Sequence, residues 1–77
     1  MPHTHIVRMS GDPRAAARQA LIEAATRSQS VELCFTGTLD DVFEGDHHQD
    51  LTVRVNLRES VETVVARMRE EAQNQQR

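Results

Sequence analysis

Hydrophobic and polar positions alternate in two stretches of the chain and recur at helical spacing in two others. Residues 31–36 (VELCFT) place Val31, Leu33 and Phe35 on one side and Glu32, Cys34 and Thr36 on the other. Residues 51–57 (LTVRVNL) repeat the pattern, with Leu51, Val53, Val55 and Leu57 inward and Thr52, Arg54 and Asn56 outward. A period of two sends successive side chains to opposite faces, so both stretches read as half-buried strands. Residues 4–9 (THIVRM) are β-branched and apolar and predict a further strand ahead of them.

That first strand stops at Ser10-Gly11-Asp12-Pro13. The Asp12 carboxylate can accept from the unpaired N–H groups of a helix's first turn, and Pro13 suits the first helical position, where a missing N–H costs nothing. An alanine-rich helix over residues 13–27 follows, because alanine loses no side-chain entropy on becoming helical. Its expected buried stripe is Ala17, Leu21, Ala24 and Ala25 with Ile22 beside it, leaving Arg14, Arg18, Glu23 and Arg27 wetter. Ser60 is positioned to cap a last helix over residues 61–72. Its stripe is Val61, Val64, Val65, Met68 and Ala72.

The order is strand, helix, strand, strand, helix. It predicts one α+β domain over residues 1–77, with a three-stranded, largely antiparallel sheet and two helices on one face. The second and third strands are expected to be antiparallel neighbours. The first strand beside the third, as in a split arrangement, is one placement the pattern leaves open. Residues 73–77 are polar and carry no stop signal, so a frayed tail is expected.

Composition narrows the function classes. The chain has 77 residues, 38% of them hydrophobic, and its only aromatic residues are Phe35 and Phe43. No run approaches the ~18–20 apolar residues of a membrane span. The first ten residues lack the apolar core of a secretory signal. Cys34 is the single cysteine, so no disulfide staples the fold, and a cytoplasmic setting is expected. The net charge is −3, and all nine basic residues are arginine. A mildly acidic chain with almost no aromatics is a poor binder of nucleic acid, whose phosphates demand clustered cations.

The core is thin. A chain of this size buries only ~60% of the surface its unfolded form exposes, so self-association is one source of added stability. If both helices cover one face of the sheet, the other face carries Glu32, Cys34, Thr36 and Arg54. Those four are the candidate dimer face. Glu32 or Thr36 opposite Arg54 makes a sensible cross-strand pair.

The segment 37–50 (GTLDDVFEGDHHQD) departs furthest from background. Asp40, Asp41, Glu44, Asp46 and Asp50 fall within eleven positions, with His47 and His48 among them, and Val42 and Phe43 can extend the hairpin. Three readings stand side by side: a solvated hairpin loop, a divalent metal site, and an acidic surface that docks on a basic, nucleic-acid-binding face of another protein. Asp40 and Asp41 are adjacent, unlike the alternating ligands of a calcium loop, and adjacent His47 and His48 point apart on an extended chain. No metal is therefore expected. His3 and His5 share a side of the first strand but lack placed co-ligands. Cys34 lacks a fixed histidine beside it, and Gly11, Gly37 and Gly45 are isolated turn glycines, so no catalytic residue is assigned.

Two resemblances add expectations. The strand, alanine-rich helix and two strands over residues 4–57, with Ser10-Gly11-Asp12-Pro13 opening the helix, resemble the dodecin family of flavin-binding shells. That likeness implies a homo-oligomeric small-molecule binder. Dodecins stack flavin on a tryptophan, which this chain does not contain, so no cofactor is expected. The segments SGDPRAAARQALIEAA, VELCF and ESVETVVARM in a small acidic chain are similar in style to small phage-encoded proteins, the anti-CRISPR proteins among them. That likeness implies a non-enzymatic inhibitor that covers a surface of a nucleic-acid-handling complex. The expected contact residues are Asp40, Asp41, Glu44, Asp46 and Asp50, with no direct nucleic-acid or membrane binding.

Overall fold

The computed structural model describes residues 4–39 and 48–75. They form β1 (His5–Gly11), α1 (Pro13–Arg27), β2 (Val31–Thr38), β3 (His48–Val55) and α2 (Val61–Gln75). The element order and the α+β class match the sequence pattern. The sheet is mixed, in the order β1-β2-β3. β1 runs parallel to β2, from His5 opposite Val31 to Gly11 opposite Gly37. β2 and β3 are the expected antiparallel pair.

The place of β1 corrects the largely antiparallel expectation and the split arrangement. The length of the crossover accounts for the parallel direction. The 15 residues of α1 span roughly 22 Å, close to the length of a seven-residue strand. The helix therefore returns the chain to the end of the sheet where β1 began. β2 then starts there and pairs with β1 directly, which is how parallel neighbours are made.

Both helices pack on one face of the sheet. Val7, Val31, Leu33, Phe35, Leu51, Val53 and Val55 point into that layer and meet Ala16, Ala20 and Ala24 of α1 and Val64, Val65 and Met68 of α2. Asp12 Oδ1 accepts from the Arg14 backbone N–H at 3.1 Å, and Pro13 takes the first helical position. Ser60 caps α2 by accepting from the Thr63 N–H at 3.1 Å.

The buried face of α1 differs from the expected stripe. Ala16, Ala17, Ala20 and Ala24 are buried, Leu21 is half-buried, and Ala25 and Ile22 are exposed. Alanine occurs all round this helix, so bulk does not set its phase. Close approach does: Ala16, Ala20 and Ala24, four apart, let the backbone lie near the sheet. The expected stripe of α2 is kept, with Val61 half-buried at its start. α2 also continues through Gln75, so residues 73–75 are helical where fraying was expected. Leu57, expected inward, is 40% exposed, because β3 ends at Val55 and the chain turns before Leu57.

β2 runs two residues further than its alternation suggests, and Gly37 falls on the buried side. A Cβ at Gly37 would lie 2.7 Å from Phe35 Cζ and 2.8 Å from the Gly11 carbonyl oxygen. The Phe35 ring thus occupies the place of a side chain at 37. Gly11, at φ +96°, holds a conformation that L side chains rarely adopt as β1 turns into α1.

Candidate functional site

Three strands with helices on one side leave the opposite side uncovered. Strand alternation sends Ile6, Arg8 and Ser10 of β1, Glu32, Cys34 and Thr36 of β2, and Asp50, Thr52 and Arg54 of β3 to that face. The register lays them in rows. Ile6, Glu32 and Arg54 form one row, Arg8, Cys34 and Thr52 the next, and Ser10, Thr36 and Asp50 the third. The four residues expected as a dimer face, Glu32, Cys34, Thr36 and Arg54, thus share one surface. Arg8, on the same surface, was missed because the placement of β1 beside β2 was not legible.

The middle of this face is low and its four charges lie on its perimeter. Cys34 is half-buried, and its Sγ lies 3.5 Å from Thr52 Oγ1. A shallow depression of about 480 Å³ runs over Arg8, Ser10, Cys34, Thr36, Asp50 and Thr52. Glu32 stands opposite Arg54 in register, as the sequence suggests, but the two side chains form no ion pair. Among the described residues, the side chains of Arg8, Glu32, Asp50 and Arg54 engage no other charged group. An exposed pair gains ~0–1 kcal/mol, too little to hold two long side chains in one geometry.

Several charged groups elsewhere are used within the fold. Glu59 Oε1 accepts from the Asn56 backbone N–H at 2.7 Å and from Arg67 Nη1 at 2.9 Å, while its Oε2 accepts from Arg67 Nη2. The Arg67 hydrogen bond, above all, lowers the Glu59 pKa from an ordinary 4.5 to about 2, against the opposing pull of desolvation. The same contact raises the pKa of Arg67. Ser30 Oγ donates to Asn56 Oδ1 at 2.9 Å and ties the start of β2 to this turn. An acid just before the Ser60 cap was the available sequence signal for this cluster. Its arginine eight residues later was not singled out.

Arg14 Nη1 donates to Glu62 Oε1 at 3.1 Å, joining the two helices. The Glu62 pKa is lowered, first by its own backbone N–H and then by Arg14. Glu23 faces Arg27 at 3.3 Å, the i,i+4 spacing of the sequence, and lies 3.4 Å from His5 Nε2. Arg14 and Arg27, two of the wetter arginines of α1, are thus each paired with a carboxylate. A second hollow, of about 330 Å³, sits where Gly11, Asp12 and Arg14 meet Thr38, Leu39 and Arg69. An apolar groove of about 500 Å³ runs between Leu21, Ala25 and Leu57.

Asp50 is the one member of the expected acidic contact set among the described residues, and it is exposed on the uncovered face. Asp40, Asp41, Val42, Phe43, Glu44, Asp46 and His47 lie outside the described residues, as does His3. Among the described residues, no group of three histidine, cysteine or acidic side chains is placed to hold a metal ion. No helix among them is long and apolar enough to cross a membrane. The chain matches no protein-family model, and neither the curated proteins nor the solved structures include a significant match to it.

Proposed function

We propose that this chain is a non-enzymatic protein-interaction module whose working surface is the uncovered face of the sheet. The observation that supports this reading is the state of the charges there. Arg8, Glu32, Asp50 and Arg54 stand together on one face with no charged partner among the described residues, whereas Glu59 before α2 and Arg67 within it hold each other. Charged groups left in water and arranged on a rigid sheet serve orientation and specificity when a partner arrives.

The narrower form of the proposal adds the connection between β2 and β3. It carries Asp40, Asp41, Glu44 and Asp46 in sequence, and Asp50 of β3 stands on the uncovered face. Its partner is then a protein with a basic, phosphate-binding surface, and the chain is an inhibitor of the phage or mobile-element type. Spaced carboxylates compete there with nucleic acid through charge-assisted hydrogen bonds to arginine and lysine. The test is capture from the host's lysate by wild type and by variants with these acids replaced in pairs by alanine. Loss of one stoichiometric partner, with steep salt dependence, is expected. Capture that is unchanged in every paired variant and insensitive to salt contradicts the narrower form.

A further inference from the structure

We infer that the uncovered face also associates with a second copy of this chain, through a two-fold axis that runs across the strands along the row of Arg8, Cys34 and Thr52. The inference rests on reading this face as a docking surface, and it names one occupant.

The argument comes from the register. Thr52 sits midway between Asp50 and Arg54 on β3, two residues from each. Rotation about an axis along the Thr52 row exchanges the two outer rows. Two such faces stack ~10 Å apart with their strands nearly aligned. Arg54 then lies over the partner's Asp50, and by symmetry Asp50 lies over the partner's Arg54. Glu32 lies over the partner's Thr36, within diagonal reach of the partner's Arg8. Arg54 and Asp50 thereby meet their opposites, while Arg8, on the axis row, lies over the partner's Arg8 with Glu32 of both copies diagonal to it. An axis along β2 instead sets Glu32 on the partner's Glu32 and leaves Arg54 over Ile6 and Asp50 over Ser10, so of the two it is the cross-strand axis that opposes Arg54 and Asp50.

Shape agrees with charge. The axis passes over Arg8 at the β1 edge, over half-buried Cys34 and over Thr52, so the faces approach most closely on the β2–β3 side. The two arginines and two acids of the face cancel, so the face taken without the acidic connection attracts no strongly charged partner. A face three strands wide and about eight residues long measures roughly 14 by 26 Å. That is below the ~800 Å² per partner of a stable complex, so the dimer belongs to the weak, concentration-dependent class.

The test is sedimentation equilibrium of the wild type up to about 1 mM, the upper range of weak association. Arg54→Asp, Asp50→Arg and the double exchange are run beside it. The expected result is a monomer–dimer equilibrium that each single exchange weakens by roughly tenfold or more and the double exchange restores to within about threefold. Thermal melts check that all variants fold. Amide NMR shifts on dilution should move at Cys34, Thr36 and Thr52 and stay fixed in α2. A wild type that remains monomeric at the highest concentration overturns the dimer. So do single exchanges without effect, a double exchange without rescue, or dilution shifts confined to the helices. A monomeric wild type that still captures a different protein through this face leaves the docking reading standing and removes only the second copy.

Discussion

Glu59 and Arg67 form a two-pronged ion pair that closes the turn between β3 and α2. One carboxylate oxygen also receives the Asn56 backbone N–H, and Arg67 Nη1 reaches the Arg54 carbonyl oxygen as well. The pair joins the end of the last strand to the second turn of the last helix. It lies directly behind the charged row of the uncovered face, because the Arg54 side chain leaves β3 on the other side from α2.

Stability should therefore depend on acid in a defined window. The Glu59 carboxyl is lowered from 4.5 to about 2 in the folded chain, so its contribution is complete above 4.5 and is lost as pH falls toward 2. The pair is partly solvated, with Glu59 17% and Arg67 33% exposed, and solvent screening reduces its worth to about 1–2 kcal/mol. Urea unfolding at pH 7 and pH 3 measures it. Glu59→Gln should lower stability at neutral pH by about 1–2 kcal/mol and flatten the dependence between the two.

Gly37→Ala should destabilise the fold by about 2 kcal/mol or more, since its methyl would fall on the Phe35 ring and the Gly11 carbonyl. Neither neighbour yields cheaply: one is the largest fully buried side chain and the other is backbone. Thermal melting of the variant checks this. A companion Phe35→Leu change that recovers part of the loss would identify the ring as the obstacle.

Ser28→Gly should have the opposite sign. Ser28 ends α1 at φ 54°, in the left-handed region, and the Gln29 N–H returns to the Ala24 carbonyl at 3.2 Å. Glycine takes that conformation without the Cβ penalty, so a gain of about 0.5–1 kcal/mol is expected in denaturant unfolding.

Removing the Asp12 cap should cost about 1 kcal/mol. The carboxylate satisfies the Arg14 N–H at the exposed start of α1, and Asp12→Ala leaves that donor to water. Asp12→Asn should retain most of the stability, which separates the hydrogen bond from the charge.

The elements were legible because local chemistry agreed with periodicity. Asp12-Pro13 and Ser60 marked the starts of both helices, and the alternation around Leu33 and Val53 marked the paired strands. The neighbour of β1 was not legible: its short run of Ile6, Val7 and Met9 suits an edge beside either β2 or β3. The length of α1 makes β2 parallel to β1 but does not by itself choose the neighbour. The phase of α1 was also hidden, since alanine on every side carries no preference until a sheet is present. Leu57 was misread because alternation alone cannot show where a strand gives way to a turn. The candidate face was read in part. Glu32, Cys34, Thr36 and Arg54 followed from period two, whereas Arg8 required the strand order, and the acids at 40, 41, 44 and 46 lie outside the described residues.

The most direct test of the central claim is a comparison of two charge reversals as bait in a capture from host lysate. Glu32→Arg with Asp50→Arg alters the uncovered face, and Arg18→Glu alters exposed α1 on the other side of the molecule. Both are first shown to melt like the wild type. The account predicts that the partner seen with wild type is kept by Arg18→Glu and lost by the paired sheet variant. Equal capture by both, or loss with Arg18→Glu alone, would contradict it.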